Sequence, residues 1–350
     1  MSQLGYHERA PDPWQYHQRA MYMSDLNTGA TTRSYGFFLV PNFTLLAYSS
    51  AIEPLRMANK LSNAELYKWH AISVDAKPVI SSSGVCISAD LSIHDDGLFT
   101  AVFACGGVDI HRSYDPQILP WLRKMANRKV ILGALCTGSY LLAEARLLRG
   151  YRCTIHWENF AGIRERHPEL IISQELFEID RDRYTCAGGI APMDMMLHLI
   201  RRQHGSELAT AVSEQFICDR IRDNHDRQRI PLRHRIGTGQ PKLMEAVSLM
   251  EANIEEPMAL DELSRHIGLS RRQLERLFKK YLNCVPTRYY LQLRLERARQ
   301  LLLQTSMPIV DTALACGFIS APHFSKCYRL IFGVPPREER RRAAIGQPLH

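Results

Sequence analysis

"VILGALCTGSYLLAEA", residues 130–145, changes character halfway along. Val130 to Leu135 is a continuous apolar run, as in a strand covered on both faces, and from Ser139 the spacing is that of an amphipathic helix. Between them lie Cys136, Thr137 and Gly138, with Gly133, Ala134 and Ser139 as small neighbours. A strand that turns at once into a helix can lift one side chain above an α/β sheet, with the first amides of the helix facing the same way. Cys136 is therefore open to three roles: a nucleophile, part of a ligand pocket, or a small buried residue.

The same alternation extends on both sides. "YGFFLV" from Tyr35, "KWHAISV", "GLFTAVFAC" and "RCTIHW" read as strands. "TLLAYSSAIEPLRMANKL", "PQILPWLRKMANR", "ENFAGIRERHP" and "PMDMMLHLIRRQHG" read as helices, and "LFEIDRDRYTCAGG" reads as a hairpin. Strands alternating with helices predict a flavodoxin-like α/β sandwich with a mainly parallel sheet over residues 33–222. Residues 1–32 are polar and aperiodic and are expected to form a flexible leader, and 223–241, charged with two prolines and two glycines, a linker. Residues 242–345 read as helix throughout, an all-α second domain.

The 350 residues carry nine cysteines at 86, 105, 136, 153, 186, 218, 284, 316 and 327, never spaced as CxxC, which argues against a disulfide framework and a zinc site. No apolar run is long enough for a membrane span, and the N-terminus lacks the apolar stretch of a signal peptide. The expectation is a cytoplasmic protein without metal or cofactor. Its net charge of +8 is uneven: residues 241–350 hold 17 Lys and Arg against 11 Asp and Glu, the first 240 only 27 against 25. A basic C-terminal part beside a near-neutral one points to a polyanionic partner for the former.

Within that basic part lies a repeat. "LDELSRHIGLSRRQLERLFKKYLNCVP" (260–286) and "IVDTALACGFISAPHFSKCYRLIFGVPP" (309–336) align at an offset of 50, pairing Ser270 with Ser320, Leu274 with Phe324, Phe278 with Tyr328 and Pro286 with Pro336. Gly268 pairs with Gly317 at 49, so the second turn holds one extra residue. Each copy has a short helix, a glycine where positive φ is needed, a serine N-cap and a longer helix with a basic face, which is the logic of a helix-turn-helix. Between them, "PTRYYLQLRLERARQLLLQ" puts Leu291, Leu295, Ala298 and Leu302 on one stripe. A helix from Pro286 to Gln304 spans roughly 28 Å. Second helices held near that separation can enter successive major grooves, about 34 Å apart on one face of a duplex.

"GFISAPHFSKCYRLIFGVPPREERR" and both copies resemble the AraC/XylS regulators over about 100 residues. The resemblance implies a double-stranded operator, base contacts from Arg271, Arg272, Glu275 and Arg276 in the first copy and His323, Ser325 and Lys326 in the second, and phosphate contacts from Lys279, Lys280 and Arg329. It also implies a second copy of the chain and RNA polymerase as partners.

The N-terminal half resembles the class I glutamine-amidotransferase-like (ThiJ/PfpI) superfamily from Tyr35 to about Arg220, through "FFLVPNFTLLAYSSAIEPLRMAN", "FACGG", "GALCTGSYLLA", "CTIHWE" and "CAGGIAPMDMMLHLI". Fused to an AraC-type reader, the whole is similar to the GlxA-like regulators, and most to the subgroup responding to arginine, carnitine and glycine betaine. The resemblance makes His156 the partner of Cys136, but where enzymatic relatives carry an acid near the cysteine the aligned residue is Ala47, with Glu53 further along the helix as a surface or interface charge. It thus implies a sensor in place of an enzyme: Phe43, Ala47, Gly106, Cys136, Thr137, Gly138, His156 and Trp157 would line a pocket, the elbow amides holding a carboxylate. Phe43, Trp157, Tyr48 and Tyr140 would face a methylated or cationic nitrogen. The expected protein is an activator of catabolic genes responding to glycine betaine or dimethylglycine. Two alternatives stay open: a cysteine-dependent amidase, hydrolase or glyoxalase-like enzyme tethered to DNA, and a dimerisation module pairing through the "LFEIDRDRYTC" edge or an exposed helix. Asp194 is expected to cap or brace its helix.

Overall fold

The computed structural model describes residues 31–218, 220–223, 228 and 240–345. They divide into two compact units, 31–155 with 175–223, and 156–174 with 240–345. The stretch 156–174, read from sequence with the first domain, is thus grouped with the second. Residues 1–30 of the expected leader, and all of the expected linker except 223, 228, 240 and 241, lie outside the described residues.

In chain order the first unit contains β1 (Arg33–Leu39), α1 (Leu45–Ser62), β2 (Tyr67–Ser73), the short β3 (Val79–Ile80), β4 (Cys86–Ile87) and β5 (Leu91–Ser92), then β6 (Ala101–Cys105), α2 (Ile110–Ser113), α3 (Ile118–Asn127), β7 (Ile131–Leu135), α4 (Ser139–Glu144) and β8 (Arg152–Cys153). After α5 (Phe160–Arg166) and β9 (Ile171–Ile172) of the second unit, the chain returns with β10 (Phe177–Asp180), β11 (Arg183–Cys186), α6 (Ala191–His204) and α7 (Ser206–Gln215). The continuous apolar runs 35–39, 101–105 and 131–135 have no polar face and become interior strands of one sheet, ordered β10-β11-β7-β6-β1-β2-β5. Every pairing is parallel except β10 with β11, the hairpin read from sequence.

One face of the sheet buries Phe37 and Phe103, stacked at 5.4 Å, under apolar residues of α1, α6 and α7 such as Leu55, Met195 and Val212. On the other face Phe38 meets Trp121 of α3. Register then places Leu135 opposite Cys105 on one side and Cys186 on the other, so the residue after Leu135 leaves the C-terminal edge of the sheet at its middle.

The second unit continues with α8 (Pro241–Ala252), α9 (Leu260–His266), α10 (Arg271–Leu282), α11 (Pro286–Gln304), α12 (Ile309–Ala315), α13 (Ala321–Phe332) and α14 (Pro336–Ile345). It has two apolar clusters, one per repeat copy. The first joins Leu243 and Val247 to Leu263, Ile267, Leu274 and Phe278, and the second joins Ala313, Cys316, Phe318, Phe324 and Tyr328. Helix α11 serves both, giving Tyr290 and Leu293 to the first and Leu295, Ala298, Leu301 and Leu302 to the second.

Candidate functional site

The elbow forms where β7 ends. Cys136 has φ +59°, in the left-handed region that a side-chain-bearing residue adopts only at a cost, so its surroundings must hold it there. They do so by close packing. A Cβ on Gly138 would fall 1.9 Å from the Ala104 carbonyl oxygen, and one on Gly106 would fall 2.4 Å from the Gly138 nitrogen. The Thr137 hydroxyl donates to the Gly107 carbonyl at 2.8 Å and the Ser139 hydroxyl to the Thr154 carbonyl at 2.6 Å. Beneath, Cys105 and Cys186 are fully buried, and burial pushes both thiols well above the usual range, for Cys186 against an opposing hydrogen bond from the Cys136 backbone N–H. That amide is thus already directed at a sulfur.

Cys136 is 6% exposed and its sulfur accepts from the Thr44 hydroxyl at 3.6 Å. Ala47, one turn along α1 from Thr44, is buried and presents only a methyl group. Phe43 is fully buried, its ring edge-on to Tyr48, and Tyr140 is edge-on to Tyr114. Glu53 is a surface charge paired with Arg56 at 2.6 Å, as read from sequence. His156 and Trp157 fall in the second unit, their rings 5.7 Å apart. The His156 Nδ1 faces Glu158 at 3.8 Å, and burial holds its pKa below the usual value, with Glu158 pulling the other way. Among the described residues no group of three His, Cys, Asp or Glu is placed to hold a metal ion, and no helix is long and apolar enough to cross a membrane.

The reader helices are built as the repeat dictates. Gly268 and Gly317 have φ +68° and +73°. Ser270 closes a capping box on Gln273 at the head of α10, and Ser320 accepts from the His323 backbone N–H at 3.4 Å at the head of α13. With Leu274 and Phe278 buried, the opposite face of α10 exposes Arg272, Arg276, Lys279 and Lys280. Arg271 is also exposed but tied to Glu275 at 3.1 Å and Asp261 at 3.8 Å, so it braces α10 on α9. On α13, His323, Lys326 and Arg329 are exposed, Ser325 is half-buried, and His323 lies over Phe318 and 3.4 Å from the Cys327 sulfur.

Three partly buried contacts of charged side chains were not anticipated. Arg294 of α11 donates to the carbonyls of Cys316 at 2.8 Å and Gly317 at 2.6 Å and lies 4.1 Å over Phe318, clamping the second turn. Arg299 meets the buried Glu339 at 2.9 Å. Asp194, expected to cap or brace its helix, instead takes the Arg222 guanidinium at 2.6 Å and the Arg222 backbone N–H at 2.9 Å. The only sequence signal was a charge on an otherwise apolar helix face; each partner is distant along the chain.

The helix-turn-helix domain matches residues 263–342 and the DJ-1/PfpI family residues 42–202. The chain is 56% identical over 317 residues to the HTH-type transcriptional regulator GbdR of Pseudomonas aeruginosa, covering 91% of this chain and 86% of that protein. It is 45% identical over 320 residues to the HTH-type transcriptional regulator ArgR of the same species, covering 91% and 95%. A crystal structure of an AraC family transcriptional regulator from Pseudomonas putida superposes with a TM-score of 0.50 at 31% identity, over 53% of this chain and 99% of that one.

Proposed function

The chain belongs to the AraC-type helix-turn-helix transcriptional regulators with an N-terminal DJ-1/PfpI domain, and on that premise we propose that it is an activator whose sheet domain senses a small amino-acid-derived or quaternary-ammonium metabolite, glycine betaine or dimethylglycine foremost. Residues 33–222 are the sensing domain, 223–241 the linker and 242–345 the reader, acting as a homodimer in the cytoplasm beside RNA polymerase. The observation that carries the DNA half is the capped helix α10 with Arg272, Arg276, Lys279 and Lys280 on one exposed face. Arg272, Arg276, His323 and Lys326 face base edges, with Arg271, Glu275 and Ser325 setting their register, and Lys279, Lys280 and Arg329 hold phosphates.

What supports the sensing half is the elbow. Its geometry is that of a nucleophile turn, yet Ala47 stands where catalysis would want an acid, and Thr44 gives the sulfur a hydroxyl partner. Phe43, Ala47, Gly106, Cys136, Thr137 and Gly138, all of the first unit, form the pocket lining we propose, and Cys136 does no catalytic work there. Binding acts by preferring one arrangement of the regulator.

Two measurements test the proposal. Arg276→Ala lowers affinity for a selected operator by roughly tenfold or more while random DNA loses less; equal losses on both would remove base reading from Arg276. Calorimetry of the full chain against glycine betaine, dimethylglycine, carnitine and arginine gives binding heat for one of them; silence from all four rejects the effector class.

A further inference from the structure

The extra residue in the second turn finds no place in the fold. After Gly268 the first copy runs Leu269-Ser270, and Leu269 packs against the first apolar cluster. After Gly317 the second runs Phe318-Ile319-Ser320, and Phe318, 2% exposed, takes the core position that Leu269 fills in the first copy. The inserted residue is therefore Ile319, and it is 100% exposed.

Single exposed apolar residues are ordinary on protein surfaces, so exposure alone carries nothing. Ile319 differs in how it is held. The turn before it cannot relax outward, because Arg294 binds the carbonyls of Cys316 and Gly317 and covers Phe318. A Cβ on Gly317 would fall 2.6 Å from Pro257, so the backbone there is packed as well as clamped. Immediately after it, Ser320 caps α13. An apolar residue just before a cap commonly staples onto the fourth residue of the helix. Here that residue is Phe324, which is fully buried and packs on Phe318 at 5.1 Å, leaving Ile319 outside.

The two reader helices therefore present different chemistry at their heads. Helix α10 begins with Arg271 and Arg272, whereas α13 begins with Ile319 before its cap and Ala321 and Pro322 after it, with Pro322 exposed. The head of a recognition helix is the part that meets base edges, and the apolar feature a major groove offers there is the thymine methyl. We infer that Ile319 packs on the 5-methyl group of a thymine, so that α13 reads its half-site partly by methyl contact while α10 reads its own by arginine donors. This rests on the reading of α13 as a major-groove helix.

The test uses the full chain and an operator selected from random duplexes. Deoxyuridine replaces each thymine in turn, which removes the methyl and leaves the Watson–Crick edge intact. One such replacement in the α13 half weakens binding about fourfold, the effect of exposing one buried methyl. Ile319→Ala weakens binding similarly and abolishes the response to that replacement; the variant keeps its fold because the side chain touches nothing. A scan flat at every thymine, or a deoxyuridine replacement that still costs the Ile319→Ala variant fourfold, overturns the inference. Lys326→Ala separates it from the broader reading. If that variant loses operator and random DNA equally, α13 is not a base reader and both fall; if its loss is operator-specific while the methyl scan is flat, only the methyl contact falls.

Discussion

At the scale of the single residue, Cys136 shows how far a local pattern reaches. An apolar run, a cysteine and small residues on either side announce the elbow, and the left-handed φ of +59° is the backbone consequence. The Thr44 contact could not be read the same way, since the two residues are 92 positions apart and meet only because β1 and β7 flank β6 in the sheet. Burial sets the chemistry of the thiols. Cys86 is exposed and Cys136 is buried, so iodoacetamide at neutral pH labels Cys86 first and Cys136 behind it, as mass spectrometry of a time course would show. Cys136 outrunning Cys86 would put the thiol-enzyme reading in front. The glycine of the turn is equally constrained. A side chain on Gly138 meets a backbone carbonyl, which cannot swing aside, so Gly138→Ala costs about 2 kcal/mol or more in urea unfolding.

At the scale of the element, the helix-turn-helix copies were the most legible part, because their signals are local. A glycine, a serine two or three residues on, and buried positions four apart on the following helix suffice, and α11 begins and ends at Pro286 and Gln304 as its apolar stripe required. The β3–β4 hairpin and α7 were not singled out; strands of two residues carry no period of their own and exist through their pairing, Val79 with Ile87 and Ile80 with Cys86. The caps give a prediction at this scale. Ser270 has both bonds of a capping box, whereas Ser320 has a single longer one. Ser270→Ala therefore destabilises the helical unit by about 1 kcal/mol, and Ser320→Ala by less, in the far-UV circular dichroism transition. The reverse order would mean that the second cap is the stronger.

At the scale of the whole molecule, two electrostatic features govern behaviour in solution. The first was legible from counting, since the positive surplus collects in the last 110 residues. Each phosphate contact steepens the fall of affinity with salt by about one unit of log K per unit of log salt, so Lys279→Ala, Lys280→Ala and Arg329→Ala each flatten that slope by about one on operator and random DNA alike. The second was not legible, because it depends on which histidines the fold encloses. Burial holds the pKa of His156, His198 and His204 below the usual value of 6.5; Arg201 and Arg202 add to this at His198, and Arg33 at His204. In the unfolded chain these imidazoles take up protons near pH 6.5, while in the folded chain they do so only further down. Between those limits the unfolded state binds more protons, so stability rises with pH through this window and levels off above it. Carboxylates held low, such as Asp95 and Asp180, act in a separate window below about pH 4. The urea midpoint of the full chain is therefore lower at pH 5.5 than at pH 7.5. His204→Phe keeps a ring against Tyr67, removes a titrating group whose Nε2 is buried without a hydrogen-bond partner, and narrows that gap. A midpoint that is flat or rises on acidification, or a gap that His204→Phe leaves unchanged, would show that protonation of the enclosed histidines is not what sets the acid limit of this fold.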